Sequence, residues 1–358
     1  MLQELRSLVF KKKAYAQYLG FVGKGNLGDE AILLAIQDIF AKNISFYTSL
    51  NYGVIERFQR YITGIESIFL GGGTLIKGPS RHLKSINSLA SIHSNANLIV
   101  FGTGVGDEDM WEKFGHKTDR EAWRNTLNKS DYLSVRGPIS KKYLQNWGIE
   151  KHIDIIGDPA IWLARDQVSL KKKKKRIGLN FGPSLGKPGQ IHGQDEMYVL
   201  KFGSRLLEYL HNDGWLITLF PMAKADIDYL LQAVNMAGIS MPQINRNYLD
   251  LNNTLKLLEK QDVFVGEKLH SVILASCVCT PSVMLEYRTK CKDFMLSIGR
   301  EDWSFRTDFL DFEVILDSLL KLYEDVDFHQ QKIHVQMMKR KDMLKEAAKK
   351  VNAIASKY

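Results

Sequence analysis

The chain has no apolar run that approaches the roughly 20 residues needed to span a bilayer. Its first residues carry a basic cluster, Lys11-Lys12-Lys13, but neither an apolar signal core nor a cleavage site precedes that cluster. These absences argue against a membrane-spanning or a secreted protein. We therefore expect a cytoplasmic location.

Cysteine is also scarce. The three cysteines, Cys277, Cys279 and Cys291, are an odd number in a long chain, which favours reduced thiols over a disulfide framework. Cys277 and Cys279 lie near His270 in the sequence, but their spacing fits no standard zinc pattern. The surrounding stretch is apolar, and buried free thiols are common in such stretches. We expect no metal site.

The positive charge of the chain is concentrated in a few places. The net charge is +9, and the block from Lys171 to Arg176 supplies six cations, so the rest of the chain carries +3. A Lys-rich tail at 339–358 adds to this basicity. No basic face interleaved with aromatic residues is present, so we expect no nucleic-acid partner. Two interpretations of the basic segments stay open: solvated surface, or peripheral contact with anionic membrane lipids or a polyanionic glycan.

The length of 358 residues and the composition, 45% hydrophobic and 25% charged, indicate a globular protein of two domains. Both halves alternate short apolar strands, closed by glycines or charges, with helices. The predicted strands are residues 18–22, 68–70, 98–101 and 132–135, then 177–181, 215–220, 263–265 and 281–285. The predicted helices include residues 29–40, 139–147, 197–212 and 249–260. This alternation predicts an α/β protein with two doubly wound parallel-sheet domains that face each other across a cleft.

The domain boundaries are placed at the Lys-rich segment. Residues 1–165 are predicted to form an N-terminal α/β domain, residues 166–176 a linker, and residues 177–325 a C-terminal α/β domain. Residues 326–358 are predicted to form a basic C-terminal helix. The Gly/Pro-rich loop at 183–196, which contains His192, is either a mobile lid or a plain surface loop.

The segment from Asp262 to Ala275 is the most informative part of the chain. Glu267, Lys268 and His270 lie within four positions, where an apolar strand turns into a helix. In an open α/β sheet, ligands bind at the carboxyl ends of the strands. A charged triplet there is poorly explained by packing, so we interpret it as the active site. The alternative for His270 is a buried histidine with structural hydrogen bonds.

A glycine-rich motif at 23–28 matches the dinucleotide fingerprint G-x-G-x-x-G, after a strand and before a helix. The acidic residue expected about 20 positions later is missing, because residues 41–55 contain no Asp or Glu. Asp29 and Glu30 also place negative charge where a pyrophosphate would sit. The motif therefore favours helix capping or a polar or cationic partner, with NAD binding as the alternative.

Several short blocks follow one another in a characteristic order from about residue 20 to about residue 300. They are Gly25–Glu30, Gly71–Thr74, Ser134–Arg136 with Gly148-Ile149, Gly157–Ala160, Gly266–His270 and Glu286–Lys290. In this order they resemble the polysaccharide pyruvyl transferase family. Two positions depart from the family pattern. Lys268 stands where the family usually has Arg, so a cation is kept without a two-pronged grip, and Lys77 follows the triple glycine where an acidic residue is common.

The resemblance implies a glycosyltransferase-B kind of architecture, with the acceptor on the N-terminal domain and the donor on the C-terminal domain. It also implies transfer of pyruvate from phosphoenolpyruvate to two hydroxyls of a sugar, which yields a cyclic ketal and phosphate. The sugar would belong to a cell-surface polysaccharide or its lipid-linked precursor. No metal or redox cofactor is expected, because phosphoenolpyruvate supplies the transferred group.

The resemblance also assigns the site residues. His270, the side chain suited to proton transfer near neutral pH, and Glu267 are the predicted catalytic residues. The predicted donor-binding residues are Lys268, Arg136, Ser271, Glu286 and Arg288. The predicted acceptor or cleft-lining residues are Asn26, Asp29, Gly72, Gly73 and Thr74. Asp158 is predicted to be a turn residue rather than a catalyst.

Two other functions stay open on the sequence alone. The first is a nucleotide-sugar-dependent glycosyltransferase of the same architecture, with Glu286 bound to the ribose. The second is a non-catalytic scaffold that binds glycans or membranes through the basic linker and tail.

Overall fold

The computed structural model describes residues 13–48, 64–78, 81–113, 115–168, 173–183 and 196–355. Three segments discussed above lie wholly or partly outside these ranges. They are the basic cluster at 11–13, the linker at 166–176 and the loop at 183–196 with His192.

The N-terminal half of the described chain forms one parallel sheet with strand order β2-β1-β3-β5-β6-β7, and β4 also pairs with β5. Its strands are β1 Ala14–Leu19, β2 Ile44–Tyr47, β3 Ser67–Leu70, β4 Gly73–Ile76, β5 Asn97–Val105, β6 Tyr132–Val135 and β7 Asp154–Ile155. Its helices are α1 Leu27–Phe40, α2 Arg81–Ile92, α3 Glu108–Lys113, α4 Arg120–Leu127, α5 Pro138–Asn146 and the 3-10 helix Pro159–Leu163.

The C-terminal half forms a second parallel sheet with strand order β10-β9-β8-β11-β12-β13. Its strands are β8 Arg176–Asn180, β9 Leu216–Leu219, β10 Gln243–Ile244, β11 Val263–Gly266, β12 Ser282–Glu286 and β13 Ser304–Arg306. Its helices are α6 Glu196–Asn212, α7 Lys224–Ala237, α8 Leu251–Glu259, α9 Leu269–Cys277, α10 Thr289–Ser297, the 3-10 helix Glu301–Trp303, α11 Phe312–Glu324 and α12 Val326–Ala355.

Two parallel-sheet α/β domains are therefore confirmed. The first sheet lies within the residues predicted for the N-terminal domain. The second sheet spans residues 176–306 and begins one residue before residue 177, the predicted start of the C-terminal domain. The predicted end of the strand at 98–101 was wrong, because β5 continues through Gly102 and Gly104 to Val105. The carboxyl half of β5 pairs with β4. The glycines in it permit close approaches, so they do not stop the strand.

The first strand also differs from its prediction. β1 begins at Ala14 and ends at Leu19, rather than covering residues 18–22. The buried Gln17 had no place in an apolar strand pattern. Its amide donates to the carbonyl oxygens of Tyr18 and Tyr47, both at 3.0 Å, so a polar side chain is accommodated inside the sheet.

The two domains share a hydrophobic core. One cluster of buried side chains contains Phe69 and Phe101 from the first sheet together with Phe264 from the second. Ile333 and Met337 of α12 belong to the same cluster. The C-terminal helix therefore packs back against the N-terminal domain. None of the helices in the described part of the chain is long and apolar enough to cross a membrane.

Part of the basic block is tied down within the protein. Lys173 Nζ donates to the carbonyl oxygens of Tyr323 and Glu324 at 3.3 and 2.9 Å, at the end of α11. A cation there satisfies carbonyl groups that the helix leaves unpaired. Lys175 Nζ lies 3.2 Å from Asp213 Oδ2. These contacts give two lysines of the block a structural role, while contact with a membrane stays a prediction.

Loops of the two domains meet where the strands end. The N–H of Leu27, at the start of α1, donates to the carbonyl oxygen of Met222 at 2.9 Å. The Thr289 hydroxyl donates to Asp107 Oδ2 at 2.6 Å. Asp293 on α10 caps α5 of the other domain, because its carboxylate accepts from Ile139 N at 2.8 Å and Ser140 Oγ at 2.6 Å. Residues from both sheets are thereby brought to one place.

Candidate active site

A cavity of about 370 Å³ lies between the two domains and is lined by residues of both. Eight of the residues predicted for the site line it. They are Asn26, Asp29, Gly73, Thr74, Arg136, Lys268, His270 and Arg288. The cavity therefore combines residues from the predicted acceptor and donor sides.

His270 lies in the first turn of α9, directly after β11. The turn is fixed by Asn180, whose side-chain oxygen accepts from Lys268 N at 2.9 Å. The His270 ring lies against Gly28 of α1, and a Cβ at Gly28 would overlap the ring. The glycine therefore lets the imidazole approach the start of α1 across the domain boundary.

Asp158 links His270 to Arg136. Its Oδ2 lies 3.4 Å from Arg136 Nη1 and 3.7 Å from His270 Nε2. The side chains of Arg136 and Asp158 are 1% and 0% exposed, so this pair is fully desolvated. The 3.7 Å distance is too long for a hydrogen bond, and the contact with His270 is electrostatic. Arg136 also donates to Thr74 Oγ1 at 3.1 Å, which fixes its guanidinium at the cavity wall.

The surroundings of Asp158 favour its ionised form. Burial alone would raise the pKa of its carboxyl group, but the neighbouring His270 and Arg136 outweigh that effect and lower the pKa. The predicted turn role also holds, since Asp158 Oδ1 accepts from Ala160 N at 3.0 Å. The sequence analysis missed the role of the Asp158 carboxylate as the charged partner of Arg136 and His270. The only feature of the sequence that pointed to Asp158 was its place in the block Gly157–Ala160.

Lys290 is a second residue that sequence reasoning missed, although the motif at 286–290 contains it. It lines the cavity next to Arg288. Part of the residue is exposed in the cavity, but burial of the ammonium group and the charge of Arg288 lower the pKa of Lys290 to about 7. A lysine with this pKa can hold or release a proton near neutral pH.

Three cations of the C-terminal domain that line the cavity lie close to the ring of Tyr287. The Nζ atoms of Lys268 and Lys290 lie 5.8 and 5.0 Å from its ring centroid, and the Arg288 guanidinium lies 5.4 Å away. An aromatic face attracts cations and offsets their mutual repulsion. Lys268 is further held by Pro183, whose carbonyl oxygen accepts from Nζ at 2.5 Å.

Four predicted site residues lie outside the lining of the cavity. Glu267 accepts from Gly182 N at 3.0 Å, and the Ser271 hydroxyl donates to the Lys268 carbonyl oxygen at 2.7 Å. Glu286 accepts from Ser304 Oγ at 3.2 Å. Gly72 lies close to Ile32 and Pro159. These contacts hold the turns that carry the site, and a direct part in catalysis or binding stays a prediction for all four.

Backbone N–H groups in and next to the glycine-rich motif donate to side chains of the protein itself. The Asn26 side chain caps α1, where it accepts from Gly28 N at 3.0 Å and Asp29 N at 3.3 Å. Glu30 Oε1 accepts from Gly23 N at 2.7 Å. This geometry agrees with helix capping. Asp29 reaches the cavity, and burial raises the pKa of its carboxyl group against the opposing charges of His270 and Lys290.

Within the described part of the chain, no group of three or more His, Cys, Asp or Glu side chains could hold a metal ion. Cys277, Cys279 and Cys291 are buried and unbridged.

Comparison with known proteins identifies the family. The sequence profile of polysaccharide pyruvyl transferases matches residues 26–289, which is most of the chain. The chain belongs to the polysaccharide pyruvyl transferase family. The matched range contains every predicted site residue, and membership makes the protein an enzyme, a transferase. A search among curated proteins finds no match.

Solved structures show what fold this family member adopts. A UDP-GlcNAc 2-epimerase from Neisseria meningitidis bound to UDP-GlcNAc is 9% identical, with a TM-score of 0.56 over 97% of this chain and 100% of that chain. A glycosyltransferase from Rickettsia africae is 10% identical, with a TM-score of 0.56 over 97% and 100%. A putative UDP-N-acetylglucosamine 2-epimerase from Listeria monocytogenes is 10% identical, with a TM-score of 0.54 over 91% of each chain. The fold is therefore glycosyltransferase-B-like, as expected.

Proposed function

We propose that this enzyme transfers the pyruvyl group of phosphoenolpyruvate to two hydroxyls of a sugar in a cell-surface polysaccharide or its lipid-linked precursor. The products are a cyclic ketal and phosphate. The observation that carries the proposal is the placement of His270, held by Gly28 and Asp158, beside a group of cations in one interdomain cavity.

The cations suit the charge of the donor. Phosphoenolpyruvate carries about three negative charges near neutral pH, from one carboxylate and one phosphate. Arg136, Lys268, Arg288 and Lys290 line the cavity. The buried Nε atoms of Arg136 and Arg288 have no hydrogen-bond partner among the described residues. Guanidinium groups match the geometry of carboxylate and phosphate, so these two are the proposed ligands of the donor.

His270 is the proposed acid and base. Protonated His270, stabilised by the Asp158 carboxylate, donates its proton to the methylene carbon of phosphoenolpyruvate, which becomes a methyl group. The first sugar hydroxyl attacks the central carbon, and its proton returns to His270. The bond from that carbon to the phosphate oxygen then breaks. The second hydroxyl closes the ketal, and its proton leaves with the phosphate.

The nucleotide-sugar alternative requires Glu286 to bind a ribose. Glu286 instead accepts a hydrogen bond from Ser304 and is 5% exposed, away from the lining of the cavity. The proposed reaction involves no change of oxidation state that would need a redox cofactor, since phosphoenolpyruvate supplies the three carbons of the pyruvyl group and the proton added to its methylene is replaced from the sugar hydroxyl.

Phosphoenolpyruvate is expected to raise the melting temperature of the protein, whereas UDP, GDP and NAD are not. At a phosphoenolpyruvate concentration of 100 times its Kd, binding should stabilise the folded state by about 2.7 kcal/mol. Arg288→Gln is expected to reduce this stabilisation, because it removes a guanidinium from the cavity. Lys292→Gln, at an exposed position on α10, the helix that follows Arg288, is the control. A shift caused only by a nucleotide would overturn the pyruvyl donor.

Phosphoenolpyruvate binding is also expected to weaken as the pH rises above about 7. The pKa of Lys290 is lowered to about 7, so the free enzyme holds a neutral amine above this pH, while the bound anion favours the ammonium form. Binding therefore takes up a proton, and Kd should rise by up to about tenfold per pH unit. Calorimetry in buffers of different ionisation enthalpy measures this proton uptake.

Lys290→Met should remove most of the pH dependence, while Lys292→Met should keep it. The ionisation of phosphoenolpyruvate itself is common to all variants and cancels in the comparison. Equal proton uptake by wild type and Lys290→Met would show that Lys290 does not titrate on binding.

A further inference from the structure

The acceptor side of the cavity has its own basic and aromatic surface. We call Phe21, Lys24, Lys77 and Trp111 the acceptor wall, since all four come from the N-terminal domain and line the cavity. Lys77 Nζ lies 4.5 Å from the centroid of the Trp111 ring and 5.2 Å from that of Phe21. An ammonium group is thus held between two aromatic rings at the surface of the cavity.

Backbone hydrogen bonds and a glycine fix the positions of Lys77 and Trp111 in this wall. Lys77 follows β4, and its carbonyl oxygen accepts from Trp123 Nε1 at 3.4 Å. Gly106 N donates to the Ile76 carbonyl oxygen at 2.8 Å, which joins the ends of β4 and β5. A Cβ at Gly106 would overlap Lys77 Cβ and Trp111 Nε1. The glycine therefore allows the lysine and the tryptophan to pack over the same point.

Basic side chains cluster around this wall. His82 lies edge-on to Phe21, with ring centroids 5.2 Å apart. Burial, then the charges of Lys77 and Arg81, lower the pKa of His82 to about 4. Around the cavity as a whole, six Lys and Arg side chains and two Asp side chains belong to the described lining. A second anion beside the donor is therefore electrostatically favoured.

We propose that the acceptor is an anionic sugar, whose phosphate, diphosphate or carboxylate binds Lys77 while its ring packs against Trp111 and Phe21. This inference rests on the proposed function, because it assigns the N-terminal wall to the acceptor. An ammonium group only donates hydrogen bonds and suits an anion better than neutral hydroxyls alone. Aromatic faces provide apolar area for the C–H face of a sugar ring.

Two sources could supply this anion. A sugar linked through a phosphoester, as in a lipid-linked precursor, carries a phosphate or diphosphate at its anomeric carbon. A uronic acid within a polymer carries a carboxylate on the ring. Matched compounds distinguish them: the methyl glycoside, the glycosyl 1-phosphate and the methyl glycoside of the corresponding uronic acid, each for galactose, glucose and mannose.

The test uses the full chain as wild type, Lys77→Gln and Lys77→Arg, with Lys84→Gln on the exposed side of α2 as control. Calorimetry measures the binding of each compound, and separately of phosphoenolpyruvate. We expect an anionic sugar to bind about 10- to 100-fold more tightly than its methyl glycoside, a range typical of hydrogen bonds to charged groups. Lys77→Gln should abolish this preference, and Lys77→Arg and Lys84→Gln should keep it. The affinity for phosphoenolpyruvate should change less than twofold.

Equal binding of neutral and anionic sugars by the wild type would overturn the proposal, and so would failure of every anionic sugar to bind. Loss of phosphoenolpyruvate affinity in Lys77→Gln, with sugar binding intact, would place Lys77 on the donor side instead. If the wild type fails to bind phosphoenolpyruvate, the proposed function falls. The Lys77-dependent binding of an anionic sugar is still measured separately in that case.

Discussion

Replacing His270 with glutamine is expected to lower the turnover number by about 100-fold or more, a loss typical of removing a general acid or base. Glutamine keeps a polar side chain in the space against Gly28 but cannot deliver a proton at neutral pH. Phosphoenolpyruvate binding should persist, because Arg136, Arg288 and Lys290 remain. Phosphate release from phosphoenolpyruvate in the presence of acceptor measures the effect.

The control for this substitution is His152→Gln. The His152 side chain is 81% exposed and lies next to Asp154, outside the cavity lining. Its replacement should leave turnover unchanged. If His270→Gln turned over at the wild-type rate, His270 would have no part in proton transfer. A rise in KM without a fall in kcat would instead assign His270 to ground-state binding.

Replacing Arg136 with methionine is expected to lower the free energy of unfolding by about 3–5 kcal/mol, the range for breaking a buried ion pair by removing one partner. The substitution leaves the Asp158 carboxylate, which is 0% exposed, without its guanidinium partner at 3.4 Å. It also removes the donor to Thr74. Urea denaturation followed by tryptophan fluorescence gives the free energy.

The double substitution Arg136→Met with Asp158→Asn separates the charge from the packing. Because a neutral amide replaces the stranded carboxylate, the double variant should lose less stability than Arg136→Met alone. Equal losses in the two variants, or a loss below about 1 kcal/mol in the single variant, would contradict a strongly coupled buried pair.

The sequence allowed much of the fold to be predicted for a physical reason. A strand that is buried on both faces, such as β11, is rich in apolar residues, and this run of apolar residues is readable in the sequence. The short strands β7 and β10, of two residues each, carry too few positions for any pattern. β5 was predicted too short because its glycines serve close contacts: a Cβ at Gly104 would overlap the Arg136 guanidinium.

The site was only partly predictable, because several roles depend on contacts between distant parts of the chain. His270 and Lys268 could be found, since charged residues at a strand-to-helix turn are informative on their own. Asp158 gains its role only when Arg136 and His270 pack around it. Glu267 and Glu286 looked equally informative in the sequence, yet the hydrogen bonds that they accept, from Gly182 and Ser304, hold the local chain.

Helix α10 joins the two halves of the enzyme. By its place in the chain it belongs to the C-terminal half, and it begins next to Arg288 and includes Lys290. Yet Asp293 caps α5 of the N-terminal half, in space that a Cβ at Gly137 would fill, and Thr289 is bonded to Asp107. A chimaera that joined the N-terminal half of one relative to the C-terminal half of another near the Lys-rich segment would cut these contacts. To keep these contacts, the chimaera would have to take α10 from the same relative as the N-terminal half that α10 caps.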